Sequence, residues 1–220
     1  MITKLPKWIW FGAGALSFIA GMINVVALLG FEHQSVTHLT GTTSMLSSAL
    51  ASMDGAAALR FCVVIGSFVL GTVVSGFVIR DGALRLGKRY WIVLLLESVL
   101  LFTAVPLLYL NSPLGIYCAS CASGLQNAMA STYSGAVVRT THLSGMFTDL
   151  GILIGHFLRG LRVDKRKVLL YLIIILGFLG GGTTGAVAFQ SLGYSTLLIP
   201  ASLTAITALG YAVQQAASLR

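Results

Sequence analysis

Two short stretches hold most of the residue types that could do chemistry in this chain. The first reads Gly21-Met-Ile-Asn24, followed by Thr37-His38-Leu39-Thr40-Gly41; the second reads Gly124-Leu-Gln-Asn127, followed by Thr141-His142-Leu143-Ser144-Gly145. With one residue of gap between the two parts, Gly, Asn, Thr, His, Leu, hydroxyl and Gly fall in register, and Leu46 then matches Leu150. Each set supplies an imidazole that titrates near neutral pH, a side-chain amide, two hydroxyls and a glycine that opens a short apolar run. Thr40 and Ser144 suit the N-cap of a helix beginning there. The unpaired N–H groups and the dipole of such a helix end form a local anion site.

The halves differ where charge matters. Arg139 precedes the second turn and Asp149 follows it by about a turn of helix, where the first half has Ser35 and Met45. An arginine beside two helix ends could hold an anion, while a carboxylate with a histidine could take up and release a proton. The candidate solute-binding residues are therefore Asn24, Thr37, His38, Thr40, Asn127, Arg139, Thr141, His142 and Ser144, and the candidate proton carriers are Asp149, His142 and Glu97. A plainer reading stands beside this one. Asn24 and Asn127 could be interhelical hydrogen bonds, the turns could simply cap their helices, Arg139 could be a charge snorkelling to the membrane surface, and Glu97 could be paired with an Arg or His.

The elements that must position these residues follow from composition. Of 220 residues 56% are hydrophobic and 9% charged, against about 25% charged in an ordinary soluble domain. Such a chain belongs in a membrane. Six apolar runs meet the span requirement of about 20 residues: Trp8 to Gly30, Leu59 to Ile79, Tyr90 to Leu110, Leu114 to Gly135, Val168 to Gln190 and Tyr194 to Val213. Trp8 and Trp10 suit interfacial anchors. The first run follows Lys4 and Lys7 in the manner of a signal peptide, but it leads directly into the repeated motif with no small-residue cleavage site, so it reads as a span. Thr42 to Ser52 and Met146 to Phe157 are too short to cross.

Charge sets the expected orientation. The net charge of +8 would suit nucleic acid, yet Lys4, Lys7, Arg80, Arg85, Lys88, Arg89, Arg159, Arg162, Lys165, Arg166, Lys167 and Arg220, which make 12 of the 14 basic residues, fall on one face if the two short segments dip in and return. That is the positive-inside pattern with both termini cytoplasmic. Each half then crosses three times, so the second half is inverted relative to the first. The expectation is an all-α polytopic membrane protein: one membrane domain over 1–220, with six transmembrane helices in two inverted three-helix repeats, about 8–110 and 114–217. Each repeat carries a re-entrant or half-helix segment after its first helix. The stretch from Phe178 echoes that from Phe68, extending the repeat, and places Gly71 and Gly181 at equivalent close helix crossings.

Cys62, Cys118 and Cys121 all lie in apolar runs and read as small packing residues. An intramembrane metal enzyme using His33, His38, His142, Asp149 and Glu97 is disfavoured, because no His pair stands at i, i+4 and the His-Glu-x-x-His pattern is absent. No enzyme activity, metal, cofactor or nucleic-acid partner is expected.

The stretches Gly21 to Gly41 and Gly124 to Gly151, above all Gly-Leu-Gln-Asn-Ala followed by Val-Arg-Thr-Thr-His-Leu-Ser-Gly-Met-Phe-Thr-Asp-Leu-Gly, resemble the YoaK-like family of bacterial membrane proteins, a family named for its unknown function. The resemblance implies a protein of about six spans in the bacterial cytoplasmic (inner) membrane and supplies no substrate. From the residues themselves, the expectation is a transporter of a small solute, an anion or weak acid, coupled to protons. The alternatives are a channel of the same architecture and a membrane scaffold or regulatory protein. The partners expected are the lipid bilayer and a small molecule or ion, and a homo-oligomer is compatible with the sequence.

Overall fold

The computed structural model describes residues 7–30, 35–79, 89–135 and 138–218. The basic residues Arg80, Arg85 and Lys88, the N-terminal Lys4 and the candidate ligand His33 lie outside the described residues. Within them the chain is helical, with no strand. Its elements are α1 (Lys7–Leu29), α2 (Leu39–Ala51), α3 (Gly55–Val78), α4 (Tyr90–Tyr109), α5 (Leu114–Ser134), α6 (Leu143–Leu158), α7 (Lys165–Leu192), a 3-10 turn (Gly193–Leu197) and α8 (Leu198–Ser218).

Among the described residues four helical stretches are long and apolar enough to cross a membrane: Ile9–Leu29, Gly55–Val78, Tyr90–Tyr109 and Lys165–Ala217, the last joining α7 and α8 through the 3-10 turn. α5 has a spanning length of 21 residues but carries Ser120, Ser123, Gln126 and Asn127. These residues are tolerable because α5 turns them inward: Ser120, Ser123 and Gln126 are buried against neighbouring helices, where lipid does not reach them. α2 and α6 have 13 and 16 residues, or about 20 and 24 Å at 1.5 Å per residue, short of a hydrocarbon core of about 30 Å.

Local sequence fixes the helix ends. Asp54 and Asp164 hold the N-caps of α3 and α7, accepting from Ala57 N at 3.0 Å and Arg166 N at 2.9 Å, which satisfies one backbone donor at each helix start. Gly135 ends α5 at φ 64, a left-handed conformation that a residue without Cβ adopts freely.

Glycines decide which helices touch. α1 packs most extensively on α7, and α3 on α5. A Cβ at Gly21 would collide with the Phe178 carbonyl and one at Gly181 with the Phe18 carbonyl; a Cβ at Gly124 would collide with the Phe68 carbonyl and one at Gly71 with the Cys121 carbonyl. The two crossings have one design, each using a glycine from either helix so that the backbones meet. Exchanging the sequence halves (α1 with α5, α2 with α6, α3 with α7, α4 with α8) turns one crossing into the other. The exchange also maps α2 on α3 onto α6 on α7. It fails at one seam, because α4 packs along α5 whereas α1 and α8 scarcely meet.

Candidate functional site

Both turns are built on one plan. His38 stands at the N-cap of α2 and His142 at that of α6, and neither side chain makes a capping hydrogen bond. Thr40 and Ser144, expected at the caps, are instead the second residues of their helices. The reason lies in the glycine that closes each motif. A Cβ at Gly41 would stand 2.5 Å from His38 Cδ2, and one at Gly145 2.5 Å from His142 Nε2. Each imidazole thus folds back over the first helical turn into the space a side chain would fill. The ladder starts with Thr42 N donating to His38 O at 3.1 Å and Met146 N to His142 O at 3.3 Å. The N–H groups of Leu39, Thr40 and Gly41, and of Leu143, Ser144 and Gly145, precede it and have no intrahelical acceptor.

The asparagines separate the two turns. Asn24 Oδ1 accepts from Ser35 Oγ, from Thr37 Oγ1 at 2.7 Å and from Thr37 N at 3.3 Å, tying the first turn to α1. Ser35 Oγ in turn accepts from His38 N at 3.1 Å. In the second half Ser35 is replaced by Arg139, and Asn127 Oδ1 is buried with no hydrogen-bond partner among the described residues. Val36, buried in the first turn, corresponds to Thr140 in the second, which is equally buried with its hydroxyl unpartnered.

The turns converge. Asn24, Thr37, His38 and Thr40 from the first half, and Asn127, Arg139, Thr141, His142 and Ser144 from the second, all line one cavity of about 710 Å³, within the usual range of about 300–1,000 Å³ for small-molecule sites. Every residue expected to bind solute is there. The cavity lies between the α1–α7 pair and the α3–α5 pair, and its remaining wall includes Phe68, Thr72, Phe147 and Phe178, which the sequence reading did not select. Phe68 and Phe178 had a signal: they open the two echoing stretches, and their carbonyls receive Gly124 and Gly21.

Of the proton-carrying candidates, only His142 lines this cavity. Asp149 is exposed on α6 and its carboxylate accepts a hydrogen bond from Tyr171 of α7. Glu97 is fully buried between α4 and α5, where Oε1 accepts from Gln126 Nε2 at 3.0 Å; Glu97 Oε2 and Gln126 Oε1 have no partner among the described residues. Its partner is thus an amide, where the plainer alternative was an Arg or His. Among the described residues no three His, Cys, Asp or Glu side chains come together as a metal site. Cys62, Cys118 and Cys121 are free thiols. Arg139 is the fixed cation of the cavity, and no described carboxylate lines it.

Apolar helices of spanning length around a polar cavity, closed by two equivalent turns, define a helical membrane protein. Residues 12–210 match the family described as "Protein of unknown function (DUF1275)", and the chain belongs to that family. No curated protein and no solved structure matches it.

Proposed function

We propose that this protein is a carrier of a small anion or weak acid across the bacterial inner membrane, with no enzymatic step. One observation carries the reading: nine residues chosen for anion and proton chemistry, from two turns about a hundred residues apart in sequence, share one cavity. The cavity offers an arginine, two imidazoles and two helix N-termini, a donor-rich set that suits an oxyanion. On this reading the six long helices span the membrane as two inverted three-helix repeats with both termini cytoplasmic. α2 and α6 enter as half-helices from opposite sides and meet near the midplane, where non-helical backbone is tolerated because it lines a wet cavity. The reciprocal glycine crossings support this arrangement, since they relate the halves by exchange. The proton is assigned to the histidines, because Asp149 and Glu97 stand away from the cavity.

The test is flux in proteoliposomes under an imposed pH gradient, across a panel of small organic and inorganic anions. At least one anion is expected to accumulate, and Arg139→Ala should weaken its binding roughly tenfold or more at every pH, since a guanidinium stays charged throughout. Absence of flux for the whole panel, from protein that still melts cooperatively, would leave a scaffold as the better reading.

A further inference from the structure

The two turns are equivalent in sequence but not in hydrogen bonding, and the difference describes the ligand. In the first, Asn24 Oδ1 is saturated by three donors from Ser35 and Thr37. In the second, Asn127 lines the cavity and its Oδ1 is buried with no donor among the described residues. A buried amide oxygen without a donor costs about 1–3 kcal/mol, so a site that keeps one is shaped for a group that arrives with the ligand.

Resting on the anion reading above, we infer that the solute is a small hydroxycarboxylate, its carboxylate on Arg139 and the helix ends and its hydroxyl donating to Asn127 Oδ1. Charge selects a neutral donor. An ammonium group would need a counter-charge, and no described carboxylate lines the cavity. Phe68, Phe147 and Phe178 select a carbon skeleton, since three aromatic walls would be idle against inorganic phosphate or bicarbonate, which also carry a hydroxyl beside their charge. The asymmetry places the donor contact on the second turn, where Arg139 stands in place of Ser35 and Thr141, unlike Thr37, makes no hydrogen bond to its asparagine Oδ1.

The experiment is titration calorimetry on the full chain in detergent with two matched pairs, lactate against propionate and 2-hydroxybutyrate against butyrate, and with phosphate and bicarbonate as separate arms. In wild-type protein each hydroxy acid should bind about tenfold or more tightly than its deoxy partner, because a site built around a hydrogen bond rejects an analogue that cannot make it. Asn127→Ala should bring both ratios to within about twofold. The wild-type comparison stands alone if the variant does not fold. Equal binding within each pair would overturn the inference while leaving anion transport in place. Phosphate or bicarbonate binding more tightly than lactate would overturn the carbon-skeleton argument, and no binding by any anion would remove both this inference and the reading beneath it.

Discussion

Glu97 sits where a carboxyl group is most expensive, fully buried between two helices of a membrane protein. Its one bond is with the Gln126 amide, and one oxygen on each partner is left bare. Replacing the carboxyl by an amide of the same size lets both bare positions be used: Gln at position 97 can donate to Gln126 Oε1 while still accepting from Gln126 Nε2. A neutral carboxyl can make the same two bonds through its O–H, so Glu97→Gln is expected to keep the melting temperature in detergent within the equivalent of about 1 kcal/mol of wild type and to leave the pH dependence of flux unchanged. A larger fall in melting temperature, or a flux that no longer follows the proton gradient, would return Glu97 to the proton pathway. The residue scale is also where the sequence was most and least legible. Repetition marked eight of the nine solute-binding candidates, Arg139 was marked by its place before the second turn, and all nine line the cavity. The cap position was not legible, because the usual preference for a hydroxyl is here overruled by an imidazole that uses the gap over Gly41 or Gly145. Glu97 was grouped with the turns by its charge within a span and Asp149 by its charge one turn past the second motif, and neither signal says which helix face a residue takes.

At the scale of elements, small residues decide the packing, as expected where lipid offers no hydrophobic drive between helices. The glycines of α3 divide cleanly. Gly71 meets the backbone of α5, whereas Gly66 and Gly76 are exposed, with nothing within 4 Å of a Cβ built on them. Gly71→Ala and Gly181→Ala should each force a helix pair apart and lower the melting temperature, at about 1–3 kcal/mol or more for an overpacked contact. Gly66→Ala and Gly76→Ala should be neutral or stabilising by roughly 0.5–1 kcal/mol, since alanine is the better helix former. Equal losses at all four positions would place Gly66 and Gly76 against another surface and weaken the special role of the crossings. Helix lengths were readable because apolar runs and polar breaks are set by the bilayer, and the expected Leu59 to Ile79 and Val168 to Gln190 became Gly55–Val78 and Lys165–Leu192. The extra turn at each start comes from Asp54 and Asp164, whose capping carboxylates extend the helix beyond its apolar run. α5 was read as the apolar run Leu114 to Gly135 and formed over Leu114–Ser134, its polar residues turned inward. The partnering of α1 with α7 and α3 with α5 joins elements far apart in the chain, and no local pattern states it.

For the whole molecule, the informative feature is the place where the exchange of halves fails. α1 with α7 and α3 with α5 are locked by backbone contact at glycine, so each pair is expected to move as a unit. The cavity, with its two turns, lies between these units. On one flank α4 closes against α5. On the equivalent flank α1 and α8 leave an apolar cleft of about 230 Å³, lined by Leu16 and Ile19 on one side and Thr204 and Tyr211 on the other. The asparagine contacts break the symmetry too, engaged at Asn24 and empty at Asn127. In a carrier with equivalent halves, the alternate state is reached by exchanging the conformations of those halves. The α1–α8 seam should then close as the α4–α5 seam opens. Spin labels at Phe11→Cys and Val213→Cys, two exposed positions on α1 and α8, in a background with Cys62, Cys118 and Cys121 replaced, report this seam. Addition of transported solute should increase the population with a short label-to-label distance, and a solute that binds without being transported should hold one population. A channel needs no such exchange, so a distance distribution indifferent to every transported solute would favour a pore through the same cavity over a carrier.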